Sequence, residues 1–181
     1  MVKWLARVLG LGIASGVNPQ SLARQVRASD PELRRRAADQ LAAVSEPWAA
    51  ELLLVLFKDM SGEVRAAARD GFRHQGTAAT SALIKALEDA DPRVAVPAAE
   101  LLGEVKDLDA VRPLLLVMKF GAPETRAAAT RALIRYGRSA IPGLLLACDD
   151  PDPWTRTRGE EVLAAIRLAE HTAATVEPPS A

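Results

Sequence analysis

Chemistry needs reactive side chains gathered at workable spacing, and this sequence offers few. Its one cysteine, Cys148, sits in the apolar run LLLACDD, the setting of a buried thiol that acts as a small hydrophobe. His74 and His171 lie far apart with no second His or Cys at ligand spacing, so no metal site is expected. Asp149, Asp150 and Asp152 crowd together, but at an inter-helix turn, where helix capping accounts for them. There is no glycine-rich phosphate loop, no nucleophile elbow and no cysteine with a histidine nearby. No pair of titratable groups has surroundings that would drive its pKa values apart, so acid–base catalysis has no carrier. The chain reads as non-enzymatic, without cofactor or metal, and a small-molecule ligand is not expected.

Bulk properties narrow the partner. Lys plus Arg and Asp plus Glu number 23 each, for a net charge of zero. Phosphate neutralisation supplies most nucleic-acid affinity and needs a basic excess, which this chain lacks. Hydrophobic residues make up 49% of the chain but aromatics only 4%. Most of that apolar share is Ala and Leu, which favour closely packed helices over sheet.

The elements that would position any site recur. The stretch DPRVAVPAAELLG (residues 91–103) has cousins at intervals of 30 or 31 residues, anchored at Leu33, Val64, Val94, Thr125 and Thr155. Eleven residues before each anchor stands Leu22, Leu53, Leu83, Leu114 or Leu144, and eight after it stands Leu41, Phe72, Leu102, Leu133 or Leu163. Four after it the residue is always small: Ala37, Ala68, Ala98, Ala129 and Gly159. Spacings of four and eight put these side chains on one helix face, and the small residue lets a neighbouring helix approach. A period in this range marks a stacked helical repeat. Each repeat would hold a helix A followed by a helix B that carries the anchor.

Helix punctuation agrees. Asp30, Asp91 and Asp152 precede Pro31, Pro92 and Pro153, the arrangement of a capping carboxylate followed by a proline in the first turn. Ser61 is expected to cap the second B helix, while Ala122 leaves the fourth without a side-chain cap. Gly76, Gly103 and Gly137 fall near helix ends, where a left-handed residue suits glycine. Pro97, inside the third B helix, is expected to bend it.

The pattern D-P-x-V-R-x-x-A-A-x-x-L-G, with an A-V-x-P-L-type opening to helix A, resembles the short HEAT-like repeats of phycobilisome lyases. It shows at residues 30–41, 91–103, 110–115 and 140–145, and the likeness covers roughly residues 18–167. The resemblance implies an all-α, right-handed α-solenoid, with B helices inside and A helices outside. It leaves activity open among chromophore-lyase subunits, iron-dependent hydroxylases and plain binding scaffolds. The hydroxylases need His-Glu pairs, and no His is followed by Glu here. In proteins of this kind the turn Asp and the following Arg hold the stack, so Arg34, Arg65, Arg126 and Arg156 are expected to form a structural ladder.

The remaining expectation is another protein as partner, bound along the B helices by a scaffold or adaptor. The alternatives are an accessory lyase or chaperone-like subunit that positions a chromophore or cofactor on a client protein, and a DNA-surface reader. The contact candidates are Arg35, Asp39, Arg69, Asp70, Arg73, Glu100, Glu104, Arg131, Arg135 and Glu161. Trp154 joins them because it fills a slot that is charged in the other repeats (Glu32, Glu63, Arg93, Glu124), and exposed tryptophans often anchor partners. The alternative is that it packs under the carboxy-terminal tail.

Residues 1–17 (MVKWLARVLGLGIASGV) are too short and too interrupted by Lys3 and Arg7 to span a bilayer. Three readings compete: a helix covering the open end of the stack, a secretory signal, or a membrane-surface segment. The cap makes the chain cytoplasmic; the others make it exported or membrane-attached. Repeats are expected at about 18–46, 47–76, 77–106, 107–137 and 138–167, followed by a flexible tail at 168–181.

Overall fold

The computed structural model describes residues 18–176, with side chains up to residue 172. The reading of residues 1–17 as cap, signal or anchor lies outside the described residues, as does the end of the tail. The described residues contain helices and no strand, and they divide into two compact units between Ala86 and Leu87.

In the first unit, α1 (Pro19–Gln25) and α2 (Pro31–Ala42) form one hairpin, and α3 (Pro47–Phe57) and α4 (Gly62–Gln75) form the next. A single turn, Gly76–Ala79, leads into α5 (Thr80–Leu87) at the boundary. The A helices α1 and α3 lie side by side, and so do the B helices α2 and α4. Between them Leu22, Leu41, Leu53, Val64 and Phe72 are buried. Phe57 meets Phe72 edge to face, with ring centroids 5.3 Å apart, a favoured aromatic geometry. Ala37 and Ala68 have no exposed surface, and a Cβ on Gly71 would come within 2.8 Å of Leu53. Gln75 closes this core from below: its Nε2 donates to the Leu41 and Val44 carbonyls at 3.0 and 2.8 Å. Those acceptors sit at and just beyond the end of α2.

The second unit repeats the plan with α6 (Pro92–Val105), α7 (Val111–Phe120), α8 (Pro123–Tyr136), α9 (Ile141–Cys148) and α10 (Pro153–Val176). B helices α6, α8 and α10 stack in turn, and A helix α7 packs on α9. Ala98, Ala129 and Gly159 are buried at the crossings, as the repeat predicts. Tyr136 ties α8 back to the preceding connection by donating to the Asp107 carbonyl at 2.7 Å. Burial, then the Asp107 charge, pushes its hydroxyl above the usual tyrosine range.

Several local expectations need correction. Leu33, the first anchor, is 42% exposed, whereas Val64, Val94, Thr125 and Thr155 are buried. Ser61 makes no side-chain cap; instead the carboxylate of Asp59, two residues earlier, accepts from the Ser61 N–H at 2.8 Å. Gly76 and Gly137 do adopt positive φ, but Gly103 is a buried residue inside α6, and Lys106 takes the left-handed position with φ 58°. Gly103 is needed for contact: a Cβ there would stand 2.9 Å from the Ala132 Cα. Pro97 needs no such correction: it lies inside the third B helix as expected, and is buried there. The tail expected from residue 168 begins as helix, because α10 runs to Val176 and Glu170 holds Arg138 at 2.8 Å.

Candidate functional site

The exposed sides of the B helices carry the charged residues singled out above, and the structure pairs most of them. In the first unit, Arg35 reaches Glu32 at 2.8 Å and Asp39 at 3.1 Å on its own helix. The two guanidiniums of Arg35 and Arg36 hold the Glu32 carboxyl down at about 2. Arg73 pairs with Asp70 at 2.7 Å. Arg69 stands apart, with a buried Nε that has no hydrogen-bond partner. In the second unit two pairs cross between repeats: Arg131 to Glu100 at 3.4 Å and Arg135 to Glu104 at 4.0 Å, both from α8 to α6. Glu161 pairs with Arg158 at 2.6 Å. Exposed pairs like these contribute little stability each, and they leave a surface of alternating sign.

Three of the four arginines expected to form a ladder bond carbonyls of the turn before their own helix. Arg65 donates from Nη1 to the Asp59 and Met60 carbonyls at 2.7 and 2.9 Å. Arg156 does the same to Asp150 and Pro151, both at 2.8 Å. Arg34 clasps the Ala28 and Ser29 carbonyls and also grips Asp59 with two bonds of 2.6 and 2.9 Å, joining consecutive repeats. That guanidinium holds the Asp59 carboxyl below the usual aspartate range. Arg126 departs from the ladder and stacks on Trp154, 4.7 Å from its ring centroid. Arg158 also lies over this ring, at 5.3 Å. Trp154 is 37% exposed, so it is a ring clasped by cations at the surface, where the contact is worth about 0.5–1 kcal/mol.

The turn before Arg126 also lacks acids. Five residues before the anchor the sequence has Asp59, Asp89 and Asp150, but also Phe120; three before it stand Asp30, Asp91 and Asp152, but also Ala122. Phe120 is 73% exposed. Beside it opens a shallow cleft of about 410 Å³ within the second unit, lined chiefly by Leu87, Glu88, Pro113, Leu116, Val117 and Phe120. Sequence reasoning missed this cleft, although the acid-to-Phe exchange at residue 120 was visible in the register.

Nothing among the described residues assembles a reactive pair. Burial pushes the Cys148 thiol up, with Glu160 and Asp149 acting in the same direction, which disfavours the nucleophilic thiolate. No three metal-ligating side chains gather among the described residues. None of the described helices is long and apolar enough to cross a membrane.

Residues 80–164 match the family model for HEAT repeats. The chain is 35% identical over 88 residues to phycocyanobilin lyase subunit beta of Nostoc sp. (strain PCC 7120 / SAG 25.82 / UTEX 2576), a match covering 48% of this chain and 44% of that protein. Its fold is similar to one in the complex of CpcE and CpcF of phycocyanin lyase from Nostoc sp. PCC7120, with a TM-score of 0.50 and 23% identity over 84% of this chain and 66% of the other. In both comparisons the match spans less than two thirds of the relative. The likeness to the complex concerns fold alone. Together with the buried Ala and Leu registers, these matches support a HEAT-like repeat protein that is similar, over about half of its length, to a phycocyanobilin lyase subunit.

Proposed function

We propose that this protein is an accessory subunit of the lyase type, which holds a client polypeptide along its B helices while a bilin chromophore is positioned on that client. The observation that carries this reading is the 35% identity to phycocyanobilin lyase subunit beta, placed on a fold whose B helices present paired charges and a clasped tryptophan. The chain's own part is recognition. Glu100, Glu104, Arg131 and Arg135 offer a partner both signs of charge in fixed positions, which favours specificity and encounter rate over raw affinity. Trp154, clasped by Arg126 and Arg158, is the aromatic anchor.

A second reading, a non-enzymatic scaffold or adaptor with no chromophore, is favoured by the scarcity of aromatics, 4% of the chain. A DNA-surface reader fits less well, because acids interrupt the arginines along α6, α8 and α10. Mixing the purified protein with phycocyanobilin and a phycocyanin apo-subunit separates the first two. A bilin absorbance band that moves onto the apo-subunit faster with the protein than without it supports the lyase-type reading. No change in rate, with one protein recovered in a pull-down, supports the scaffold instead. Loss of that recovery in Trp154→Ala combined with Arg131→Glu would assign the partner to the B-helix surface.

A further inference from the structure

The cleft beside Phe120 comes from two linked exchanges. Six residues before successive anchors stand Lys58, Glu88 and Lys119; five before the following anchors stand Asp89, Phe120 and Asp150. Where these registers hold Lys119 and Asp150, the two side chains meet at 2.6 Å and bridge one repeat to the next. Where they hold Glu88 and Phe120, no bridge can form, and the space stays open. Pro113, Leu116 and Val117 line it, with Leu116 half exposed. Glu88 is exposed and has no ion-pair partner within the described residues. It stands where α5 ends, and the carbonyls of a helix C-terminus add negative potential there. Lys119, whose ammonium lies 5.1 Å from the Phe120 ring centroid, is paired with Asp150 at 2.6 Å.

We propose that this cleft is a docking site, separate from the B-helix surface, for a polypeptide segment that presents a large apolar side chain beside a lysine or arginine. The apolar side chain fills the space over Leu116, Val117 and Phe120. The cation meets Glu88, in the role that Lys119 plays toward Asp150 one repeat later. Buried apolar contact supplies the affinity and the acidic rim selects the sign of the partner.

The test uses the full chain and two fluorescent helical peptides, one with a leucine face flanked by lysines and one with the same face flanked by glutamates. The wild-type protein should bind the lysine peptide about tenfold more tightly, and Glu88→Lys should reverse that preference, a gain that misfolding cannot produce. The double variant Glu88→Lys with Phe120→Asp restores the bridging registers and should bind neither peptide while melting no earlier than wild type. Equal binding of the two peptides, or a preference unchanged in Glu88→Lys, would overturn the proposal. A concentration-dependent dimer abolished by Phe120→Asp would overturn it too, by giving the cleft to a second copy of the chain.

Discussion

The α9–α10 and α7–α8 turns occupy the same register one repeat apart and are built in opposite ways. In the first, Asp150 accepts from the Asp152 N–H at 2.9 Å and binds Lys119, while Asp152 accepts from both the N–H and the hydroxyl of Thr155. Arg156 then clasps the turn carbonyls. In the second, Phe120, Gly121 and Ala122 provide no side-chain cap, and the arginine has left for Trp154. Yet both hairpins close over the same buried Leu and Ala registers. Packing below the turn therefore fixes the fold, and polar bonds in the turn add stability that one repeat does without. That repeat turns an apolar side chain to the surface instead.

The largest expected difference between closed and open turns lies in the first unit. Asp59→Ala removes a bidentate bridge between part-buried side chains, and it should cost about 2 kcal/mol in denaturant unfolding, as loss of charge-assisted hydrogen bonds does. A cost as small as that of an exposed pair would break the comparison. Next, Arg156→Ala should lose about 1–2 kcal/mol by freeing two carbonyls, whereas Arg126→Ala should lose only about 0.5–1 kcal/mol of cation–π contact.

Acid should weaken the closed turns selectively. Asp59, Asp150 and Asp152 are each held below the ordinary aspartate value, by hydrogen bonds from Arg34, Lys119 and Thr155 respectively. Their folded-state pKa values lie below the unfolded ones, so the native state binds fewer protons. The stabilisation is complete above the ordinary value of 3.8 and is lost as pH falls through the depressed values. Unfolding measured from pH 6 downward should show a decline in stability below about pH 4, shallower in Asp150→Asn than in wild type. The smallest effect is a gain: Phe120→Asp with Ala122→Asp should close the open turn and add about 0.5–1 kcal/mol, the worth of a cap.

The stacking was legible because it depends on size and hydrophobicity repeated at one interval. Leu53 and Ala68 needed only their spacing to be placed in the core. Roles that depend on a specific neighbour were not legible. Gly103 and Gly137 both follow apolar helix residues, and only the approach of Ala132 shows that one is a contact and the other a turn. Ser61 looked like a cap because a hydroxyl stood in the right place, but the nearby Asp59 makes the turn bond. Among the site candidates, the charges of α6 and α8 were visible as rows, while their pairing across repeats, Arg131 with Glu100, required coordinates. The cleft escaped because Glu88 and Phe120 lie in different repeats, and each is unremarkable alone.

The division between locked and open turns is tested most directly by guanidinium unfolding of Asp150→Ala and Phe120→Ala side by side, since both lie in the second unit. The expected result is a loss of about 1–2 kcal/mol for Asp150→Ala, through its broken hydrogen bonds, against less than about 0.5 kcal/mol for Phe120→Ala, as for an exposed side chain. Equal losses would mean that Phe120 supports the fold as much as Asp150 does, contradicting its assignment to the surface.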